Sequence, residues 1–88
     1  MKQGTIIIYW GPLGAMVYFY LKDDEQGRHV CCKLGTLPET ATPGDFWRIS
    51  PGWMEEKQRA GLLEVFPDGL GPEEQARIQT YNEQKSNF

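Results

Sequence analysis

The sequence predicts an α+β fold, in which a small antiparallel sheet of three to four strands is packed by one or two helices from the C-terminal half. Three observations predict it. An uncharged, strand-forming stretch contains a central turn motif. The registers predicted across two successive strand connections give the same two sheet faces. Helix-start signals fall in the second half of the chain.

The stretch from Thr5 to Leu21 carries no charged residue and is rich in Ile, Val, Tyr, Phe and Trp, which favour strands. Its centre, 11–14, reads Gly-Pro-Leu-Gly and suits a type I turn. A membrane-spanning helix needs about 20 apolar residues, and a cleavable signal peptide ends its apolar region with small residues. A β-hairpin is therefore the preferred interpretation over a membrane segment.

The apolar pattern also predicts the register of this hairpin. Pairing Trp10 with Ala15 places one set of apolar side chains on one face, here called the apolar face: Ile6, Ile8, Trp10, Ala15, Val17 and Phe19. The opposite face, here called the tyrosine face, carries Ile7, Tyr9, Met16, Tyr18 and Tyr20. A third strand over 29–34, with Lys22 opposite His29, extends both faces without interruption. These pairs predict a three-stranded meander with the second strand in the centre.

The segment 35–44 is predicted to be a loop because it holds two prolines and two glycines. The next four residues, 46–49, are interpreted as a short strand or an anchor. Ser50 and Pro51 form a helix start, with serine as N-cap and proline at the first helical position. That helix is expected to end near Gly61 and to cover the apolar face.

A fourth strand is predicted at 62–66, followed by a polar second helix that begins near Gly71. The chain then reads as a single domain over 1–88, with a sheet-forming half (1–36), a loop (35–44) and a helix/strand/helix half (45–82). The last residues, 83–88, are expected to be a frayed tail.

Length and charge limit the functions that fit. A chain of 88 residues buries roughly 60–65% of its unfolded surface, which leaves little room for a closed active site. Twelve acidic against nine basic residues give a net charge of −3, which disfavours binding to nucleic acid or to an anionic membrane surface. The adjacent Cys31 and Cys32 cannot form an ordinary disulfide, so reduced thiols and a cytoplasmic location are expected.

No catalytic or metal-binding set is evident. The chain has one histidine, His29, for which the sequence shows no orienting carboxylate. His29 and Cys31 share a strand face, but a structural zinc site wants four ligands. The adjacent pairs 55–56 and 73–74 are glutamates that point apart on a helix, so they do not form an opposed acid–base pair. We therefore expect no enzyme activity, no cofactor and no bound metal.

The tyrosine face is the strongest candidate site, because a single-layer sheet needs one apolar face and this sheet has two. Tyrosine and methionine are enriched at the cores of protein interfaces, and large exposed apolar patches usually have a role. The structural alternative is that the second helix or the tail covers this face. The predicted partner-binding residues are Tyr9, Met16, Tyr18, Tyr20, Lys33 and Trp47.

These observations predict a non-enzymatic protein-binding module that occludes or bridges a larger partner as an inhibitor or adaptor. A phage or mobile-element inhibitor in the host cytoplasm, such as an anti-CRISPR protein, is one concrete form, by analogy of size and lack of motifs. One alternative is a structural homo-oligomer packed through its tyrosine faces. Another is single-stranded nucleic-acid binding by stacking on the tyrosine face.

Overall fold

Five strands form one sheet in this computed structural model, which describes residues 1–86. The strands are β1 (Ile6–Gly11), β2 (Gly14–Asp23), β3 (His29–Lys33), β4 (Phe46–Ile49) and β5 (Leu63–Phe66). The helices are α1 (Pro51–Arg59) and α2 (Pro72–Ser86). The strand order is β4-β3-β2-β1-β5, and each neighbouring pair is antiparallel. The α+β class is confirmed, but the sheet has five strands where three to four were predicted, because β4 and β5 both pair, at opposite edges.

The predicted hairpin is confirmed with its register. Ile6 lies opposite Phe19 and Trp10 opposite Ala15. Gly14, in the turn, has φ +148°, and a Cβ added there would lie 3.1 Å from the side-chain oxygen of Asn82 in α2. The turn glycine therefore serves both the backbone conformation and the close approach of α2.

The β2–β3 register is confirmed in part. Pairs match the prediction for Tyr18–Lys33, Phe19–Cys32 and Tyr20–Cys31. A β-bulge between Tyr20 and Lys22 then shifts the ladder, so that Asp23 lies opposite His29. The predicted pairs beyond this point, Lys22–His29 and Leu21–Val30, are wrong.

The turn after β2 explains the bulge. One carboxylate oxygen of Asp24 accepts hydrogen bonds from the backbone amides of Gln26 and Arg28, each at 2.9 Å. The Asp24 amide also donates to the Arg28 carbonyl at 2.9 Å. This turn is one residue shorter than the predicted connection, and the residue left over on β2 is accommodated as a bulge.

The two helices lie on opposite faces of the sheet. In α1, Met54 is buried in a cluster with Ile7, Tyr20 and Leu63, so α1 covers the tyrosine face. The expectation that it covers the apolar face is wrong. Because β4 and β5 run parallel to each other at opposite edges, α1 is a crossover, and its handedness decides which face it covers.

Helix α2 packs on the apolar face. The ring of Tyr81 lies 5.1 Å from that of Trp10, centroid to centroid, and its hydroxyl donates to the carbonyl of Gly11. The side-chain oxygen of Asn82 accepts from the amide of Ala15 at 2.8 Å. These contacts extend the helix to Ser86, beyond the predicted start of the tail, and the last two residues of that tail lie outside the described residues.

The remaining connection, 35–44, contains two short 3-10 turns at Pro38–Thr40 and Pro43–Asp45. The carboxylate of Asp45 accepts from the amide and hydroxyl of Thr42 at 2.9 and 3.0 Å. Cys31 and Cys32 are free and buried, and burial raises the pKa of the Cys31 thiol to about 12.

The position of α1 yields a stability prediction. Met54 is 4% exposed and belongs to the core on the tyrosine face. Met54→Ala should lower the free energy of unfolding by about 2–5 kcal/mol because it leaves a cavity between helix and sheet. Leu37→Ala, at a position 67% exposed, should stay within about 0.5 kcal/mol of wild type. Urea unfolding measures both, and equal effects would contradict the packing of α1.

Candidate functional site

Helix α1 divides the tyrosine face into a buried part and a partly open part. Ile7 and Cys31 are fully buried, and Tyr20 is 7% exposed. Four aromatic residues at the border of this core keep part of their surface exposed. They are here called the aromatic cluster: Tyr9, Tyr18, Trp47 and Trp53.

The rings of the aromatic cluster contact one another around Trp47. Its ring centroid lies 5.3 Å from that of Tyr18, 5.4 Å from that of Trp53 and 6.0 Å from that of Tyr9. A further pair, Tyr9 and Trp53, lies at 5.2 Å. All four pairs are tilted or edge-on, the arrangements that aromatic quadrupoles favour, and such pairs contribute about 0.5–1.5 kcal/mol each beyond their burial. The cluster is therefore a rigid surface.

Each ring of the cluster comes from a different element. Tyr9 is on β1, Tyr18 on β2, Trp47 on β4 and Trp53 on α1. Successive strand residues point to opposite faces, and the register places the three strand residues on the same face. Trp53 reaches them because Ser50 caps α1, its side chain accepting from the Trp53 amide at 3.3 Å.

Met16 and Lys33 border the cluster. Met16 lies opposite Tyr9 and is 37% exposed, and Lys33 lies opposite Tyr18 and is exposed. Burial is the main cause that raises the pKa of Tyr18, and the nearby carboxylate of Asp45 adds to it. The pKa of Asp45 is lowered, chiefly by the hydrogen bond from the Thr42 amide, with a smaller effect of Lys33. The border of the cluster thus carries charges of both signs, and the ammonium of Lys57 lies 5.7 Å from the centroid of the Trp53 ring.

The structure brings five of the six predicted partner-binding residues to this region. They are Tyr9, Met16, Tyr18, Lys33 and Trp47. Trp47 lies in strand β4 and not on the preceding loop. Tyr20 is separated from them: it is buried, and its hydroxyl donates to Asp23 at 2.9 Å. Sequence analysis missed Trp53 as a site residue because its place depends on the face that α1 covers.

A group of hydrogen-bonded polar side chains lies on the tyrosine face at the end of β2, and it consists of Asp23, His29 and the Tyr20 hydroxyl. Nδ1 of His29 lies 2.6 Å from Oδ1 of Asp23, the oxygen that also accepts from Tyr20. These bonds lower the pKa of Asp23, with the one from His29 as the largest cause. The expectation that His29 lacks an orienting carboxylate is wrong, because the bulge brings Asp23 opposite it.

Cys31, two residues from His29 in β3, provides the thiol nearest to this group in sequence. The neighbouring thiol, Cys31, is fully buried, and burial raises its pKa to about 12, so it is protonated at neutral pH and a poor nucleophile. Among residues 1–86, no group of three or more histidine, cysteine and acidic side chains is placed to hold a metal ion. The bond between Asp23 and His29 joins the end of β2 to β3.

Two clefts border α2 on the apolar side. The larger, of about 680 Å3, is lined by Trp10, Glu64, Arg77 and Tyr81 among others. Glu64 accepts from the Trp10 indole at 2.8 Å and from Arg77 at 2.5 Å, and these bonds lower its pKa. The smaller, of about 540 Å3, is mainly apolar and lies beside Ile78. In the larger cleft, the charged side chains of Glu64 and Arg77 are thus paired with each other.

None of the helices within residues 1–86 has the length and apolar character needed to cross a membrane. Comparisons with protein-family models, with curated proteins and with solved structures find no match to this chain.

The turn that positions β3 predicts a pH-dependent stability. Bonds from the Arg28 and Gln26 amides lower the pKa of Asp24 from 3.8 to about 2. A lowered pKa stabilises the folded state above pH 4, and this contribution is lost as the pH falls toward 2. Asp24→Asn should therefore lower the Tm at pH 7, and its difference from wild type should shrink between pH 4 and pH 2. Thermal unfolding across this range measures it.

Glu25→Gln is the matched control, because Glu25 is an exposed carboxylate in the same turn. It should leave the pH profile of the Tm close to that of wild type. An Asp24→Asn difference that stays constant from pH 4 to pH 2 would show that the carboxylate charge does not stabilise the turn.

Proposed function

We propose that this chain is a non-enzymatic protein-binding module, an inhibitor or adaptor, that contacts a larger protein through the aromatic cluster and its border residues Met16 and Lys33. The observation that carries the proposal is the convergence of four aromatic rings from four elements on a part of the sheet that α1 leaves partly open. Tyrosine, tryptophan and methionine are the residue types most enriched at interface cores.

Rigidity supports a binding role for this surface. The cluster rings are held by contacts to one another and to the core, so they lose little conformational freedom when a partner covers them. Low ordering cost is a main determinant of affinity at a given interface area. The opposite charges of Lys33 and Asp45 at the border would set the orientation of the partner more than its affinity.

The structure favours this function over stacking on nucleobases. Tyr20 is buried, and Tyr9 and Tyr18 pack against Trp53 and Trp47, so each of the three tyrosine rings of the predicted stacking face is engaged within the chain. The inhibitor form of the proposal, including a phage-encoded anti-CRISPR protein, rests on small size and on the lack of a catalytic motif. The aromatic cluster supports the wider class, a protein that binds another protein.

Affinity capture from cell lysate with quantitative mass spectrometry tests the proposal. The site variant Met16→Glu/Lys33→Glu should reduce recovery of the main captured protein by roughly tenfold or more, because it places carboxylates beside a desolvated aromatic contact. Border residues are used because substitution of Trp47 or Tyr9 would also disturb core packing.

The matched control is Leu37→Glu/Lys2→Glu, which makes the same charge change at exposed positions outside the cluster. It should retain capture, with both variants folded by circular dichroism. Equal recovery by the two variants would overturn the role of Met16 and Lys33 in the proposed site. A wild-type dimer in light scattering that the site variant abolishes would instead indicate the homo-oligomer.

A further inference from the structure

Strand β4 is an edge strand that pairs only with β3 among the described residues. In an antiparallel ladder, alternate residues turn both backbone groups toward the neighbouring strand, and the others turn both away. The Leu34 amide donates to the Val17 carbonyl, which makes the adjacent pair, Tyr18 with Lys33, a non-hydrogen-bonded one. Alternation along β3 then makes Cys31 and Trp47 a hydrogen-bonded pair.

It follows that Phe46 and Arg48 turn their backbone groups outward. A separate observation agrees: the Phe46 amide donates to the carbonyl of Pro43, outside the sheet. Three outward groups are then left, the carbonyl of Phe46 and both the amide and the carbonyl of Arg48. The backbone bonds outside regular elements within residues 1–86 include none to these three.

Proteins usually protect such an edge with a very short strand, charged side chains, proline, a bulge or a covering segment. Strand β4 is short and carries one charged residue, Arg48, but it contains no proline, and the ladder to β3 runs without a register shift. An open edge of this kind is the surface to which an extended peptide adds as a further strand, with backbone bonds for affinity and side-chain contacts for specificity.

The two sides of this edge differ in chemistry. Trp47 and Ile49 project on the tyrosine face, and Arg48, between them, projects on the other face. A groove of about 380 Å3 lies at this edge, lined by Arg28, Trp47, Arg48, Ile49, Ser50 and Trp53. A strand added here would place alternate side chains against tryptophan rings and against guanidinium groups.

The charged side chains that line this groove are two arginines, Arg28 and Arg48, and a neighbouring groove adds Lys22, Asp23, Asp24 and Glu25 around them. One carboxylate oxygen of Asp24 accepts from Nε of Arg28 at 2.9 Å and from Nη1 of Arg48 at 3.1 Å. Two guanidinium groups thus share one carboxylate, and their side chains are 39% and 51% exposed. Among these three groups, the two guanidinium charges exceed the carboxylate charge by one.

We propose that β4 accepts an extended segment of the partner protein as a sixth strand, with an acidic side chain opposite Arg48 and an apolar side chain on each side of it. The apolar side chains would lie over Trp47 and in the groove beside Trp53. This inference rests on the proposed function, because Trp47 belongs to both surfaces. A second copy of the chain fits less well, since two β4 strands about a two-fold axis bring their Arg48 side chains together on one face.

Binding of short synthetic peptides tests the inference. The probe is an acetylated, fluorescein-labelled peptide, Gly-Thr-Val-Glu-Val-Thr-Gly, followed by fluorescence anisotropy and by amide chemical shifts of the 15N-labelled protein. Replacing its glutamate by lysine should weaken binding roughly 3- to 30-fold, because an attractive cross-strand pair becomes repulsive. N-methylation of the glutamate should weaken binding roughly 3- to 10-fold, since it removes the bond to the Arg48 carbonyl.

Two variants at one position separate backbone from charge. Arg48→Gln and Arg48→Pro both remove the guanidinium, and only proline also removes the outward amide, which takes no part in the β3–β4 ladder. Proline is tolerated at such edge positions, so both proteins should fold. The proline variant should bind the glutamate peptide several-fold more weakly than the glutamine variant, and Arg48→Glu should prefer the lysine peptide.

The inference is overturned by equal binding of the three peptides, by shift changes away from β4, by no detectable binding, or by a dimer that Arg48→Pro abolishes. Its failure is distinguishable from failure of the proposed function. Peptides that do not bind, together with capture that the Met16→Glu/Lys33→Glu variant loses, would overturn only the use of β4. Peptides that bind as expected, with capture equal in that variant and its control, would overturn only the role of Met16 and Lys33.

Discussion

Burial of β1 on both of its faces is the constraint on which the rest of the structure depends. Ile6, Ile7 and Ile8 are 8%, 0% and 0% exposed, yet consecutive strand residues point to opposite faces of a sheet. Neither face can then remain in water, and each requires a helix. Helix α1 covers the side of Ile7 and α2 packs on the opposite side, against Trp10 and the β1–β2 turn. In the sequence, the three consecutive isoleucines indicate a strand that is buried on both of its faces.

The hairpin register could be predicted because a two-residue period and a short turn leave few alternatives. Pairing Trp10 with Ala15 was enough to place the apolar side chains of β1 and those of β2 as far as Phe19. The β2–β3 pairs were predictable only as far as Tyr20. Beyond Tyr20, the hydrogen bonds of Asp24 close the turn and cause a bulge. The pattern of apolar residues does not predict hydrogen bonds of this kind.

The position of the candidate-site residues on the sheet was predicted correctly to a similar extent. Where this prediction was wrong, the reasons are related to those for the β2–β3 register. Tyr9, Met16, Tyr18 and Lys33 follow directly from the register, so the tyrosine face could be drawn from sequence. Tyr20 is not part of the site because α1 covers this face and because the Tyr20 hydroxyl donates to Asp23. Trp53 is part of the site because α1 lies on this face. The helix pattern shows which residues of α1 point inward but not which face they meet, because crossover handedness decides that.

The lengths of α1 and of the sheet explain why part of the tyrosine face stays open. A helix of nine residues is about 13.5 Å long at 1.5 Å per residue, whereas five strands span about 19 Å at 4.8 Å per spacing. One helix of this length cannot cover the full width, so aromatic side chains must close the remainder, and they do so by packing on one another around Trp47. The residues that complete the core are therefore the residues left partly exposed. A longer α1 would extend over more of this face, so the short helix is as relevant to the proposed function as the rings themselves.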